Sequence, residues 1–212
     1  MIQGEDKNWT IIRPYITYGV YRLQLCTYEI DNWLYRAINK RTIICDEDIL
    51  NKQTTMTHGL DVAKRIYKLV GNSDAIGEIF QITSNQSIIW EEVMNIYFDA
   101  IQEKLGFRPK CQKVKNLVKT LGIQNSKYQV CYDRMYNRRF DSEKVNIICC
   151  DNSYIDIRKG LRNSIEKFLE KPKFGDINWK FEASKDRITG DVVNKDEIGD
   201  SEGYEKYIKY RY

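Results

Sequence analysis

The chain has 212 residues, 42% hydrophobic and 30% charged, the balance of a globular protein with room for one sizeable core. Its 34 basic and 30 acidic residues leave a net charge of +4, too small an excess to argue by itself for nucleic acid or a membrane surface. No apolar run has the length of a membrane span, and the start, MIQGEDKNW, has no apolar signal core, so the expected setting is cytoplasmic.

In chain order, residues 1–8 are a polar lead-in. Trp9–Arg13 holds a β-branched apolar run that stops at Pro14, the pattern of a buried strand ending in a loop. Residues 14–28 read as a long loop with Tyr15, Tyr18, Tyr21, Tyr28 and Arg22. Ile30, Trp33, Leu34, Ala37 and Ile38 then mark one face of a helix. Arg41–Cys45 is a short strand, Asp46–Lys52 an acidic surface turn, and Thr54–Thr57 a β-prone run. Asp61 is placed to start a helix with Val62, Ala63, Ile66, Leu69 and Val70 as its stripe, stopped by Gly71-Asn72.

Ile79–Thr83 is a further strand. Trp90, Val93, Met94, Tyr97, Ile101 and Leu105 define a long amphipathic helix that ends at Gly106. Residues 110–114 read as a short strand and Tyr128–Arg139 as a basic helix. Ile157, Leu161, Ile165, Phe168 and Leu169 mark a last helix before Pro172. From 173 to 212 apolar periodicity fades and charges multiply, so this part reads as a charged, tyrosine-rich tail after a unit spanning 1–172. Strands alternating with helices make the first part α/β with a parallel sheet. Two or three strands alone would leave apolar edges open, which points to sheet partners supplied from elsewhere.

The six cysteines are irregularly spaced, Cys149 and Cys150 are adjacent, and His58 is the single histidine. No zinc ligand set follows from these, and the thiols read as reduced core residues. Asp46-Glu47-Asp48 lacks the spacing of a calcium loop and reads as solvated charge. Lys127, Tyr132, Arg134, Tyr136, Arg138 and Arg139 form a basic, aromatic stretch, read first as a helix face and second as a phosphate or nucleic-acid patch.

Arg13-Pro14-Tyr15-Ile16-Thr17-Tyr18-Gly19 after an apolar strand resembles the sixth strand of the extended short-chain dehydrogenase/reductases, the NAD-dependent epimerases and dehydratases. TIIC at 42–45, THGLDVAKRI at 57–66, GEIFQIT at 77–83 and the helix from WEEV at 90–93 follow in that family's order, so the resemblance covers about 9 to 169. It implies a partial Rossmann-like parallel sheet, built from the family's last strands, with a mainly helical substrate-binding subdomain. The family's glycine-rich turn and Tyr-x-x-x-Lys pair have no counterpart here, so the resemblance is to the carboxyl-terminal half. No catalytic residue is assigned.

The resemblance further implies cofactor contacts at Pro14, Tyr15 and Ile16, and substrate contacts at Tyr18, Arg22, Ile44, Thr54 and His58. Ile16 stands where the family has a phosphate-binding asparagine, Val20 where it has proline, and Thr54 where it has a diphosphate-binding arginine. Threonine offers one hydroxyl in place of a charged fork, and isoleucine offers no donor. Arg22 and Arg36 are the candidate replacement cations. For each position an ordinary structural role is the competing reading: strand packing at 14–18 and 42–45, hydrogen bonding at His58, and a helix start at Asp61.

Two function classes follow. One is the substrate-binding part of an epimerase/dehydratase-like enzyme using NAD or NADP on a nucleotide sugar when complete, with no cofactor bound by this chain alone. The other is a non-catalytic protein-binding or assembly module that kept the fold. The expected partners are a sugar-type small molecule and either a second copy or a complementing amino-terminal chain. No membrane partner is expected, and nucleic acid is disfavoured.

Overall fold

The computed structural model describes residues 8–121 and 127–212. All of the polar lead-in except Asn8 lies outside the described residues.

Among the described residues, four two-stranded ladders organise the sheet part. Strand β1 (Thr10–Pro14) runs parallel to β6 (Glu78–Ile82), with Thr10 opposite Glu78 and Pro14 opposite Ile82. Strand β2 (Ile16–Tyr18) runs parallel to β5 (Met56–His58), with Ile16 opposite Met56 and Tyr18 opposite His58. Strand β3 (Ile43–Asp46) runs parallel to β8 (Cys111–Val114). The short pair β4 (Gln53–Thr54) and β7 (Ile88–Ile89) is antiparallel. Parallel neighbours separated by long crossovers are the α/β arrangement that the alternating pattern predicts.

The helices of the body are α1 (Ile30–Ile38), α2 (Glu47–Leu50), α3 (Gly59–Leu69), α4 (Trp90–Leu105) and α5 (Leu117–Leu121). After them come α6 (Lys127–Gln129), a π-turn over Val130–Arg134, α7 (Glu143–Cys149) and α8 (Ile157–Glu170). The main core joins α1, β3, α4 and α8. Trp33 stacks on Tyr97 at 5.0 Å, and its indole N–H donates to the Leu23 carbonyl at 2.7 Å. A second, smaller core packs Val62 and Leu69 of α3 and Val145 and Cys149 of α7 onto Phe80 and Ile82 of β6. Helix α4 keeps the expected bounds and ends on Gly106, whose φ of 78° suits a residue without Cβ.

Several expectations change. The stretch 14–28 is no open loop. It contains β2 and two tight turns, Gly19 to Arg22 and Leu25 to Tyr28, and it buries Leu23, Leu25, Cys26 and Tyr28. The acidic turn at Asp46–Lys52 folds as α2. Asp46 is buried, and its carboxylate accepts from the backbone N–H groups of Asp48, Ile49 and Leu117, while Ile49 and Leu50 enter the core. Helix α3 starts at Gly59, two residues before Asp61. Its cap is His58, whose Nδ1 accepts from the Leu60 N–H at 3.2 Å. Tyr128–Arg139 is helical only as far as Arg134.

The largest change is in 173–212. This segment forms α9 (Trp179–Thr189), α10 (Lys195–Ile198) and α11 (Ser201–Arg211), with a core of Ala183, Val193, Ile198 and Tyr207. Charge that reads as a solvated tail is turned inward. Glu182, Lys185 and Asp186 face Arg36 of α1 and Arg41, and all five side chains are buried.

Candidate functional site

The carboxyl ends of β1 and β2 carry the residues that the resemblance singles out, and β5 supplies His58 beside them. Ligands of open α/β sheets sit at such strand ends. Pro14 closes β1 on the surface. Tyr15 is half-buried; its hydroxyl donates to Asp133 Oδ1 at 2.7 Å and its ring meets Phe140 at 4.6 Å. Ile16 turns into the core opposite Met56.

Tyr18 is 2% exposed and meets the His58 ring edge-on at 5.2 Å. Its hydroxyl lies against Gly160 of α8 and has no hydrogen-bond partner among the described residues. Burial, aided by the Asp61 and Asp156 carboxylates, pushes the Tyr18 phenol well above its usual pKa. At neutral pH it is a protonated, dry hydroxyl and not a poised base. His58 accepts at Nδ1, which leaves Nε2 as the N–H.

Arg22 is half-exposed, with Nη1 donating to Thr17 Oγ1 at 2.9 Å and a 3.9 Å approach to Glu29. Ile44 and Thr54 are each 1% exposed, inside the ladders of β3 and β4. The Thr54 hydroxyl has no partner among the described residues. Arg36, a candidate replacement cation, is corrected: it is fully buried and donates to Glu182 at 2.8 Å and to Asp186 at 2.6 Å. Of the two replacement cations, Arg22 alone faces solvent.

The basic, aromatic stretch folds over this end of the sheet. Arg138 is tied through its backbone to β4, its N–H donating to the Gln53 carbonyl at 2.9 Å, and its carbonyl accepts from the Thr55 hydroxyl. Arg134 is buried, donating from Nε to the Cys26 carbonyl and from Nη2 to Gln24 Oε1, both at 3.0 Å. Sequence reading places these arginines on a helix face. Their convergence with Tyr15, more than a hundred residues away, carries no periodic signal.

Structural comparison sets this arrangement beside solved enzymes. The PbgP3 protein from Burkholderia pseudomallei matches over 77% of this chain and 47% of its own, at 16% identity and a TM-score of 0.57. UDP-glucuronic acid 4-epimerase from Bacillus cereus, solved with UDP-glucuronic acid and NAD, matches over 77% and 46%, at 12% identity and a TM-score of 0.54. The fold is that of the carboxyl-terminal half of the NAD-dependent epimerases and dehydratases. dTDP-glucose 4,6-dehydratase from Bacillus anthracis, solved with NAD, agrees over 76% and 44%, at 18% identity and a TM-score of 0.53. The chain thus spans about half the length of the epimerases and dehydratases it matches. No family model and no curated protein matches the sequence.

In this fold, the start of helix α3 beside the candidate site is occupied by the chain's own groups. A pyrophosphate needs bare N–H groups at a helix start. Helix α3 opens on a glycine, but His58 already caps it, and its first turn carries Asp61, a buried carboxylate that accepts from the Ile155 N–H at 2.9 Å. Among the described residues no helix is long and apolar enough to cross a membrane.

Proposed function

We propose that this chain is the substrate-side part of an NAD-dependent epimerase/dehydratase-like protein, that the complete protein acts on a nucleotide sugar, and that the chain does not turn over alone. The reading rests on one observation above all: β1 and β2 pair in parallel register with β6 and β5, the order of the solved fold, and the second pairing sets Tyr18 beside His58 at its carboxyl end. The solved proteins of this fold include epimerases and dehydratases crystallised with NAD, UDP-glucuronic acid or UDP-glucose. The catalytic tyrosine and lysine and the glycine-rich turn are assigned to a complementing half. Pro14 and Tyr15 would border its nicotinamide cofactor, NAD or NADP, and Arg22 and His58 the sugar nucleotide. The setting we assign is cytoplasmic, in keeping with six free thiols.

A second reading, a protein-binding module, is favoured by the burial of Ile16, Tyr18, Ile44 and Thr54, which closes four of the inherited ligand positions. Titration of the 212-residue chain separates the two. The enzyme reading expects UDP-glucuronic acid to shift side-chain NMR signals of Arg22 and His58 and NAD to bind negligibly. Micromolar NAD binding, or conversion of the sugar by the chain unaided, overturns it. Silence toward both ligands favours the second reading.

A further inference from the structure

Between Glu103 and Asp133 the chain carries seven lysines and arginines and no acidic residue. The whole chain is only +4, so the remainder is net acidic and the positive charge is concentrated in this run. The fold spreads it over the end of α4, strand β8 and helix α5. Arg108 is paired with Asp99, and Lys113 with Glu91 at 2.6 Å. Lys104, Lys110, Lys115 and Lys119 are exposed and form no ion pair among the described residues.

Strand β8 is also an open edge. Among the described residues it pairs with β3 alone. The Ile43 N–H donates to the Lys110 carbonyl at 2.9 Å, and Ile43 stands opposite Cys111. In a parallel ladder with that phasing, Gln112 and Val114 turn their backbone groups toward β3, and Cys111 and Lys113 turn theirs away. Neither of those two outward N–H groups has a partner among the described residues. Gln112 and Lys113 are exposed, so solvent reaches this edge.

A lysine on an edge strand ordinarily keeps like edges apart. One or two suffice for that, whereas here the acid-free run extends well to either side of the strand. A second copy of β8 would set Lys110, Lys113 and Lys115 against themselves. The same charge selects an extended segment of opposite sign. A nucleic acid would use the lysines and leave the strand edge idle. It would also want aromatic faces for its bases, and residues 108–121 hold no Phe, Tyr or Trp.

We propose that β8 is the acceptor edge for an extended acidic segment of a partner protein, which adds as a third strand to the β3–β8 ladder. The backbone groups of Cys111 and Lys113 align the incoming strand, and Lys110 and Lys115, which flank β8, meet its carboxylates. This docking uses neither a sugar nucleotide nor a dinucleotide, so it stands apart from both functions proposed above.

The probe is a ten-residue peptide of alternating glutamate and valine, titrated into the full isotope-labelled chain at fixed ionic strength. Saturable NMR shifts of the Cys111 and Lys113 amides, with slowed hydrogen exchange at both, are expected. The same peptide methylated on every backbone nitrogen keeps the charge, donates nothing to the edge, and is expected to bind about tenfold more weakly. The double variant Lys110→Glu, Lys115→Glu is expected to weaken the unmethylated peptide about tenfold as well, with thermal unfolding unchanged. Equal binding of the two peptides overturns the proposal, because charge alone would then suffice. No shift at millimolar peptide also overturns it. So does a uridylate oligomer that displaces the peptide from β8 at lower concentration, since the run would then be a phosphate surface. If the double variant does not fold, amide exchange and the comparison of the two peptides on the wild-type chain decide.

Discussion

Arg36 on α1 and Glu182 on α9 meet at 2.8 Å with neither side chain in contact with solvent. Asp186 joins the same guanidinium at 2.6 Å, Arg41 approaches both carboxylates, and Lys185 donates to Glu182 at 2.6 Å and to the Asn32 carbonyl at 2.6 Å. The Tyr207 hydroxyl of α11 donates to Asp186 at 2.8 Å. Burial alone would raise the Glu182 pKa; Lys185, Arg36 and Arg41 override it and hold the carboxyl below its usual value. The cage fastens the last forty residues to the helix that follows the candidate site.

Removing one member strands its partners. Arg36→Met is expected to cost about 3–5 kcal/mol, because Glu182 and Asp186 stay buried with a shared cation gone. Urea unfolding of the full chain checks it. A loss below about 1 kcal/mol would mean that the pair is solvated in solution.

Lys185 provides a pH signature. Burial lowers its pKa from the ordinary lysine value to about 8, with Glu182 pulling the other way. The unfolded chain keeps this proton up to the usual lysine range, and the folded chain releases it near pH 8. The unfolded state therefore binds more protons between these limits, and stability gains from Lys185 as pH rises through that window. Below pH 8 both states hold the proton and the burial penalty is fully present. Lys185→Met is expected to remove this rise, read as the difference between wild-type and variant stability from pH 7 to 10.

The cage also explains which parts of the chain are legible as sequence. Helix α4 is readable because its apolar stripe points at the core, and β1, β6 and β8 are readable as short runs between breakers, although β1 reads as a buried strand and is mostly exposed. Helix α9 is not, because its inward face is Glu182, Lys185 and Asp186, and charges at that spacing normally mark a wet face. Their partners, Arg36 and Arg41, lie about 150 residues earlier and show no local pattern. Leu23 and Leu25 were hidden differently, inside a tyrosine-rich stretch whose two tight turns use no proline. At the candidate site, Tyr18 meets His58 across the β2–β5 register and Arg22 bonds to Thr17, whereas Tyr15 turns to Asp133 and Phe140. The Asp133 contacts depend on how the chain returns over the sheet.

Gly160 lies under the Tyr18 hydroxyl, and a Cβ built there would stand 2.0 Å from that oxygen and 3.0 Å from Ile155 Cγ2. Gly160→Ala is expected to destabilise the fold by about 1–3 kcal/mol through overpacking. Tyr18→Phe removes the clashing oxygen, itself a buried hydroxyl without a partner among the described residues, so the double variant should recover part of the loss. Thermal unfolding of the two single variants and the double variant reads the coupling. Simple additivity would show that Tyr18 does not rest on α8.

The Asp46 carboxylate serves two helices at once, capping α2 and accepting from the first N–H of α5 at 2.8 Å. Asp46→Ala is expected to cost about 1–2 kcal/mol, at the upper end of single-cap losses, because two sets of buried donors lose their acceptor. Asp46→Asn should retain more than half of that stability, since its amide oxygen still accepts. Equal losses in both variants would show that charge, and not hydrogen bonding, is what α2 and α5 require.

Among the described residues, strand β1 pairs with β6 alone. Ile12 on it is 37% exposed, and with Trp9, Val70 and Ile76 it lines an open groove of about 460 Å³. An apolar strand edge of this kind recruits another strand when none is supplied. The 212-residue chain alone is therefore expected to self-associate reversibly as its concentration rises, with β1 edges meeting. Ile12→Lys puts a charge on the edge, where surface changes alter stability by about 0.5 kcal/mol or less, and should leave the fold intact while shifting the chain to monomer. Analytical ultracentrifugation of both forms decides. A wild-type chain that stays monomeric at millimolar concentration would show that the β1 edge is already protected, and the case for a complementing strand would lose its physical basis.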